Sequence, residues 1–353
     1  MTVVRTSSGT LVLRSERPQV SVRVHVRTLA VVAVLVAALT GTGAVALAVG
    51  DFHVPLADVV RSLNGTSLVP AYDYAVRGLR LPRFVTAVLV GAALAASGAV
   101  FQHLTRNPLG SPDVIGCTQG AATGALLVIL VIGGGFTQLA FGAVAGGLAT
   151  AAFVLVVSWR RGLHGYRLVL VGIGLAAMLL AVNNFLLARA NLERAQVAQA
   201  WLIGSLNARG WEYAGPLALA LAVLLPLVLV LARALRLLDL GDEAARAFGV
   251  RTGRVRAGLL VLATALASVA TAAAGPVIFL ALAAPQIAKR LTRATGPIVV
   301  TSALTGALLL AISDLAAQRL FAPTQLPVGI ATGAVGGVYL GLLLATQWRS
   351  GRW

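Results

Sequence analysis

The sequence predicts an all-α membrane protein with ten transmembrane helices. Two features of its composition lead to this fold class: 58% of the 353 residues are hydrophobic, and only 11% are charged. A soluble domain carries about 25% charged residues, so an ordinary water-soluble enzyme and a disordered protein are both excluded. The apolar residues also fall in long unbroken runs, which argues against a transmembrane β-barrel built from short alternating segments.

Charge-free stretches locate the helices. These stretches are 28–50, 84–105, 114–159, 168–188, 213–232, 257–288, 294–313 and 320–348. Because one crossing takes about 20 residues, the run 114–159 must hold two helices, with a turn at Gly133-Gly134-Gly135. The run 257–288 is also too long for one crossing, and Gly275-Pro276 is expected to break it.

The last charge-free stretch begins with prolines. Pro323 and Pro327 exclude a helix there, so the tenth span is expected to begin near residue 328. An even number of helices places both termini on one side. We take that side as the cytoplasm and expect a cytoplasmic tail at 1–27, a membrane domain at 28–347 and a cytoplasmic C-terminus at 348–353.

The basic residues support this orientation. Inner segments hold 20 of the 28 Lys and Arg residues, and outer segments hold 8. Inner loops of membrane proteins are enriched in Lys and Arg, so the bias agrees with ten helices and inner termini. The same bias accounts for the net charge of +17 without nucleic acid as a partner.

The inner loop 237–256 is expected to contain a short helix. Asp242 and Glu243 suit the N-terminus of a helix, and Gly249 suits the position after its end. Between them lie a small apolar face and one cation, formed by Ala244, Ala245, Phe248 and Arg246. The loop is therefore either a docking element for a cytoplasmic partner or an ordinary solvated inner loop.

Three arginines oppose the inner bias. Arg77, Arg80 and Arg83 precede the second span on the outer side. They could anchor the chain to lipid headgroups. Alternatively they could dock an acidic soluble partner, because guanidinium groups form two-point pairs with carboxylates.

No nucleotide, metal or catalytic motif is present in the sequence. The single lysine, Lys289, does not follow a glycine, which excludes a Walker A motif. HExxH and CxxC are absent, the four histidines are scattered, and the lone Cys117 cannot form an internal disulfide. We therefore expect that this chain binds no cofactor or metal and is not an enzyme.

Ionisable residues are almost absent from the predicted spans. The exception is Asp314 at the outer end of the ninth, which either pairs with Arg319 or lines a translocation path. An ion-coupled secondary transporter needs buried groups to carry its coupling ion, and a membrane enzyme needs convergent polar residues. Both alternatives are therefore disfavoured, and energy for transport would come from another subunit.

The last span carries a glycine stripe. Its members, spaced four residues apart on one helix face, are Gly329, Gly333, Gly337 and Gly341. Small residues let helix backbones approach closely in lipid. The stripe serves either tight packing within one subunit or a moving gate or subunit contact.

Several segments together resemble one known family, the ten-span FecCD-type permeases of bacterial ABC importers for ferric siderophores, haem and cobalamin. The resemblance covers about 28–347. It rests on RLPRFVTAVLVGAALAASGAVFQHLTRNPLGSPDVIG at 80–116, WLIGSLNARGW at 201–211, LGDEAARAFGV at 240–250, GPVIFLALAAPQIAKRL at 275–291 and QLPVGIATGAVGGVYL at 325–340. NPLGSPDVIG, GSLN, QLPVG and GGVYL are most similar to the ferric-enterobactin permease subunit, which pairs with a paralogous permease.

This resemblance implies a type II ABC importer permease fold and roles for particular residues. The coupling helix that sits on the ATPase would comprise Leu240, Gly241, Asp242, Glu243, Ala244, Ala245, Arg246, Phe248 and Gly249. Arg80 and Arg83 match family arginines that pair with acidic residues of the binding protein. The third such position is Gln318 here, followed by Arg319. Gln286 and Gln325 are neutral where other members often carry histidine and glutamate.

The resemblance further implies the partners and the location. The partners would be a second permease, identical or paralogous, two ATPase subunits that hold ATP and Mg²⁺, and a periplasmic or lipid-anchored substrate-binding protein. The expected substrate is a ferric siderophore, with haem or cobalamin as the alternative. The expected location is the bacterial cytoplasmic membrane, in contact with its lipid.

Overall fold

A computed structural model describes residues 2–5, 10–15, 20–66, 69–159, 165–294, 296–320, 322 and 324–349. Helices dominate the described part of the chain, which confirms the all-α fold class of the membrane domain. The helices are α1 Val26–Ala48, α2 Leu56–Leu63, α3 Pro70–Asp73, α4 Leu81–Thr105, α5 Cys117–Leu127, α6 Phe136–Trp159, α7 Gly165–Arg189, α8 Leu192–Leu202, α9 Trp211–Asp239, α10 Asp242–Ala247, α11 Thr252–Ala274, α12 Leu280–Thr292, α13 Val299–Arg319 and α14 Val328–Arg349. π-helical turns at Tyr74–Arg80 and Val128–Ile132 extend α3 into α4 and lengthen α5.

Ten of these helices occupy the positions of the predicted spans: α1, α4, α5, α6, α7, α9, α11, α12, α13 and α14. Within the described residues, seven helices are long and apolar enough to cross a bilayer. Of the remaining three spans, Cys117–Ile132 and Val328–Tyr339 are shorter apolar helices, and α12 has 13 residues. The predicted breaks are confirmed, because α5 and α6 are separated at Gly133–Gly135 and α11 ends directly before Gly275.

The N-terminal segment contains a small antiparallel sheet that the sequence analysis did not predict. Its strands are β1 Thr2–Arg5, β2 Thr10–Ser15 and β3 Val20–His25, in the order β1-β2-β3. In the register, Val12 of β2 faces Val4 on one side and Arg23 on the other. In β3, VSVRVH, branched apolar residues alternate with polar ones, a pattern typical of strands.

Helix α4 forms the centre of the bundle. It packs against α13, α11, α12 and α9, and most of its length is buried. Lipid gives helices no hydrophobic reason to associate, so close backbone approach must hold them together. At Gly98 a Cβ atom would collide with the backbone of Ala281 in α12. Only glycine fits there, and its absence of a side chain sets the distance between the two helices.

Two non-helical segments enter the bundle. We call the ends of the helices inner and outer according to the orientation expected from the basic residues. The chain from Arg106 to Gly116 climbs from the inner end of α4 beside α7. Two contacts with α7 show this climb. Thr105, at the start of the segment, lies beside Gly165, the first residue of α7, and Ile115, near the end of the segment, lies beside Gly172. Seven residues of helix rise about 10 Å, so α5 begins well inside the bundle. Gly275–Phe279 is the second segment. Such backbone is tolerated at membrane depth only when it is buried in protein or lines a water-filled cavity.

Candidate coupling and docking sites

The inner loop folds as a short helix, α10, with defined ends. Gly241 has φ of 111°, a conformation that favours glycine and allows the sharp turn from α9. At the other end Gly249 has φ of 79°, and Val250 N–H donates to the Ala245 carbonyl at 3.0 Å. This bond, with that from Gly249 to Arg246, forms a Schellman motif. Local sequence therefore fixes both where α10 begins and where it ends.

Asp242 anchors α10 to the membrane domain. Arg256 of α11 donates two hydrogen bonds to its carboxylate, of 2.8 and 2.6 Å. Arg106 donates to the same carboxylate at 3.1 Å and to the Leu238 carbonyl at 2.7 Å. Burial alone would raise the pKa of Asp242, but the hydrogen bonds and charge of Arg256, with further charge from Arg106, hold that pKa below its usual value. Asp242 thus ties α10 to the inner ends of α4 and α11.

A second contact fixes the end of α9 beside it. His103 of α4 places Nδ1 3.0 and 3.1 Å from the two carboxylate oxygens of Asp239. Asp239 and Asp242 flank the turn Leu240-Gly241. The turn into α10 is therefore held to α4 on both sides, which restricts independent movement of the short helix.

The outward side of α10 differs in part from the expected docking face. Phe248 and Leu240 are 69% and 67% exposed, and Glu243 and Arg246 are exposed beside them. Ala245 was expected on the contact face, but it is fully buried because it packs inward with the core. Asp242 likewise points to Arg256 and not outward. The available surface consists of two large apolar side chains with one charge of each sign.

On the outer side, Arg83 is paired inside the protein. Its Nε and Nη2 atoms each donate to Asp314 at 2.9 Å, and Nη1 donates to Gln325 Oε1 at 3.0 Å. Gln318 also donates to Asp314 at 2.7 Å. Of the two alternatives for Asp314, the pairing with Arg319 is not observed. Five residues along α13 put the two side chains about 140° apart, and Asp314 faces Arg83 of α4 instead. Gln318 and Gln325 are neutral hydrogen-bond partners of this ion pair.

Arg80 caps the end of α1. It donates to the carbonyls of Leu47 and Ala48 at 2.7 and 3.1 Å, and to the Phe52 carbonyl at 2.7 Å. The last carbonyls of a helix lack partners and carry partial negative charge, so a guanidinium there is stabilising. Gly50 leaves the room that this side chain occupies. Arg80 was expected to offer its charge to a soluble partner, whereas here it is engaged with the backbone.

The three expected docking arginines surround one outer cavity. Arg319 donates to the Val49 carbonyl at 3.0 Å, and together with Arg80 and Arg83 it lines a cavity of about 520 Å³. Arg209, Asp51 and Glu212 also line it. Outside the cavity, Arg77 remains exposed and meets Asp73 at 3.9 Å. The structure thus brings Arg80, Arg83 and Arg319 together around this cavity, and each of their side chains has a partner inside the protein.

The glycine stripe of α14 does not act as one surface. At Gly329 a Cβ atom would meet the Ile203 carbonyl, so that end packs against the chain. At Gly337 and Gly341 a Cβ atom would have no neighbour within 4 Å among the described residues. Gly336, which was not predicted, lies against the Phe279 ring. Packing inside the subunit therefore explains Gly329, whereas the open glycines leave a free helix face.

Gln286 has a local structural role. Its Nε2 donates to Gln102 Oε1 at 2.6 Å and to the Pro108 carbonyl at 3.3 Å, so it joins α12 to the inner end of α4. Among the described residues, no group of three or more His, Cys, Asp or Glu is arranged to hold a metal ion. Cys117 is buried beside Thr264, with Sγ and Oγ1 3.3 Å apart.

Comparisons with known proteins agree with this architecture. The model of the FecCD transport family matches residues 27–346. The ferric enterobactin transport system permease protein FepG of Escherichia coli is 46% identical over 270 residues, covering 76% of this chain and 82% of that protein. The achromobactin transport system permease protein CbrC of Dickeya dadantii is 37% identical over 333 residues, covering 92% of this chain and 91% of that protein.

A third relative and a solved structure extend the match. The Fe(3+)-citrate import system permease protein YfmE of Bacillus subtilis is 34% identical, covering 92% of this chain and 97% of that protein. A solved structure described as an inward-facing conformation of a metal-chelate type ABC transporter superposes with a TM-score of 0.80 at 27% identity, covering 88% of this chain and 97% of that chain. The match to the family model spans nearly the whole membrane domain, and the chain therefore belongs to the FecCD transport family.

Proposed function

We propose that this chain is a transmembrane permease subunit of an ATP-driven importer that carries a ferric siderophore across the bacterial cytoplasmic membrane. The observation that carries the proposal is α10, a short helix with an exposed Phe248 and Leu240 that is clamped to α4 and α11 through Asp242. The chain has no nucleotide motif of its own. A short helix that is held to the membrane domain and exposes apolar side chains on the inner face suits a chain that is moved by a separate ATPase.

The coupling step follows from this geometry. Two ATPase subunits bind ATP and Mg²⁺ and close, and each grips one α10 helix by its exposed apolar side chains. Because Asp242 and Asp239 join α10 to the inner end of α4, displacement of α10 moves the central helix of the bundle. Movement of α4 relative to its neighbours changes access to the path between two permease subunits.

The outer cavity is the proposed docking place for the substrate-binding protein. Arg80, Arg83 and Arg319 surround it, and acidic side chains of the binding protein would share their guanidinium groups with the present partners. Guanidinium has five N–H donors, so a group that already makes two or three hydrogen bonds can still attract a carboxylate. The open glycines Gly337 and Gly341 form part of the face toward the second permease subunit, where a gate would lie.

The substrate class is drawn from the relatives, whose names specify ferric enterobactin, achromobactin and ferric citrate. The test is reconstitution of the chain in vesicles with its partner permease, ATPase and binding protein. Iron-labelled ferric enterobactin, ferric citrate and an iron(III) hydroxamate are supplied in turn. We expect accumulation of one of them that requires ATP, and none in vesicles without the ATPase. Accumulation driven by a pH gradient without ATP would overturn the proposal.

A further inference from the structure

A pocket of about 220 Å³ with polar and apolar walls lies between α5, α7, the end of α8 and the non-helical segment before α12. Apolar side chains and Pro276 form one part of the wall, and its polar residues are Asp113, Thr118, Gln119, Asn183 and Asn184. Asn184 lies five residues before the outer end of α7, about 8 Å along the helix axis. The pocket is therefore within the membrane domain, toward its outer side.

Part of this polar wall is held by internal hydrogen bonds. Thr123 Oγ1 donates to Asn183 Oδ1 at 2.7 Å, and Asn183 Nδ2 donates to Gln119 Oε1 at 3.2 Å. Gln119 thus accepts a hydrogen bond through its side-chain oxygen, and this bond orients the amide. The two N–H groups of the Gln119 amide have no partner among the described residues. Thr118 donates to Asp113 at 2.5 Å, so this carboxylate is tied to the N-terminal turn of α5.

Asn184 differs from its neighbour Asn183. Its side chain is exposed and makes no hydrogen bond within the part of the chain that the structure describes. An amide that faces hydrocarbon without a partner is costly, and polar residues in spans generally face the bundle interior or a water-filled cavity. Met178, about 120° around α7, is exposed on a flank that suits lipid. We therefore expect Asn184 to face water and Met178 to face lipid.

The backbone beside the pocket is also unusual. Gly275–Phe279 is non-helical, and Phe279 has φ of 65°, which is uncommon for a residue other than glycine. This segment connects the two spans α11 and α12, and backbone groups outside a helix can hydrogen-bond a ligand. The pocket thus combines amide donors that lack a partner among the described residues with a non-helical backbone segment.

We propose that this pocket is a contact site for the iron(III) chelate during its passage through the permease. The amide N–H groups of Asn184 and Gln119 would donate to oxygen atoms at the surface of the chelate. The pocket is smaller than typical sites of 300–1,000 Å³, so it receives only an edge of the ligand. Neutral amide donors hold a passing ligand weakly, which allows its release. This inference rests on the proposed transport function.

The first experiment tests whether Asn184 faces water. In a Cys117→Ser background, Asn184→Cys and the control Met178→Cys are introduced separately into the assembled importer. We expect a membrane-impermeant maleimide to modify Asn184→Cys at least about 10-fold faster than Met178→Cys, because the thiolate reacts and its formation requires water. Equal or slower modification of Asn184→Cys would overturn the proposal.

The second experiment tests contact with the ligand. The iron(III) chelate that the wild-type importer transports is used with Asn184→Leu, Gln119→Met and the conservative control Asn184→Gln. Loss of one neutral hydrogen bond corresponds to about a 5-fold effect, so uptake per ATP hydrolysed should fall about that much in the first two variants. Asn184→Gln should retain most uptake, and receptor-stimulated ATP hydrolysis should remain within about 2-fold of wild type in all three.

The two possible failures are distinguishable. If the wild-type importer accumulates none of the iron(III) chelates, the proposed function fails. If the wild type transports the chelate and the single variants Asn184→Leu and Gln119→Met both transport it equally well per ATP hydrolysed, only the contact site is rejected. A parallel fall in ATP hydrolysis and uptake would also reject it, because that result indicates a coupling or folding defect.

Discussion

Arg83 and Asp314 form a two-point ion pair, with both N···O distances at 2.9 Å, although 231 residues separate them in the chain. The side chains are 14% and 6% exposed, so the pair is largely removed from water. It joins the outer ends of α4 and α13. Removing one partner of such a pair leaves an uncompensated charge, which costs more than removing both.

This relationship predicts a non-additive pair of variants. Arg83→Leu and Asp314→Leu should each lower the free energy of unfolding by about 3 kcal/mol, because each strands a buried charge. The double variant should lose clearly less than the sum of the two. Thermal unfolding of the detergent-solubilised protein measures this. Additive losses would show that the two residues do not interact.

Docking of the substrate-binding protein, the receptor of the importer, should depend on salt and on Arg80. Exposed charges are screened over about 10 Å at 0.1 M salt and about 3 Å at 1 M, so binding of the substrate-binding protein should weaken as salt rises. Arg80→Gln should weaken binding and flatten this dependence. Arg77→Gln is the matched control, since Arg77 is exposed on the same side but outside the cavity. Equal affinities of the two variants for the receptor would contradict docking at the cavity.

Phe248 should carry the contact with the ATPase. Phe248→Asp places a charge on the exposed apolar side of α10, and receptor-stimulated ATP hydrolysis should fall about 10-fold or more, since burying an unpaired charge is unfavourable. Phe248→Leu retains an apolar side chain and should keep most of the activity. Affinity purification of the ATPase with each variant is the second measurement. Normal uptake by Phe248→Asp would remove α10 from the coupling role.

The Asp242 ion cluster should persist through the neutral range. Because the pKa of Asp242 is lowered in the folded protein, its ionised form contributes stability above the ordinary pKa of about 3.9, and this contribution is lost as the pH falls through the folded value. Between pH 6 and 8 Asp242 should therefore stay ionised, and its titration should not change the association with the ATPase. Asp242→Asn should weaken it at neutral pH.

A control separates charge from shape in this cluster. Arg256→Lys keeps the charge but cannot form the two-point pair with Asp242, so it should be intermediate between wild type and Asp242→Asn. ATP hydrolysed per iron atom transported measures the coupling in each case. If Asp242→Asn couples as the wild type does, α10 does not need its anchor.

The glycines of α14 should separate into two classes. Gly329→Ala should destabilise the subunit by about 1–3 kcal/mol, since its Cβ atom would collide with the Ile203 carbonyl. Gly337→Leu should leave subunit stability unchanged and instead reduce association with the second permease. Thermal unfolding and co-purification distinguish the two effects. Equal loss of stability in both variants would contradict the division.

The sequence was sufficient for the helices but not for the pairing of side chains. Charge-free runs and the Gly275-Pro276 break locate the spans, because hydrocarbon thickness sets helix length directly. The ends of α10 were also predictable, since Asp242 and Gly249 act on their own local backbone. Arg83 and Asp314 were each singled out, yet their pairing depends on how α4 and α13 pack, which no local pattern encodes.

The depth of the segment before α5 was missed for a related reason. The charge-free stretches 84–105 and 114–159 leave Asp113 in the connection between two spans, whereas the chain climbs about 10 Å into the bundle before α5 begins. Gly172 allows this climb by removing the side chain that would meet Ile115. The only local signal is a glycine in α7, and such a glycine is equally typical of ordinary helix packing.

Two ion pairs, one at each end of α4, fix the length of this helix between the two faces of the membrane. Arg83 near its outer end binds Asp314, and Arg106 just past its inner end binds Asp242, with about 35 Å of helix between them. Inserting or deleting one residue between the two arginines would rotate one end by about 100° and shift it by about 1.5 Å. One of the two arginines would then no longer reach its carboxylate. The number of residues in α4 is therefore constrained even where individual side chains can vary.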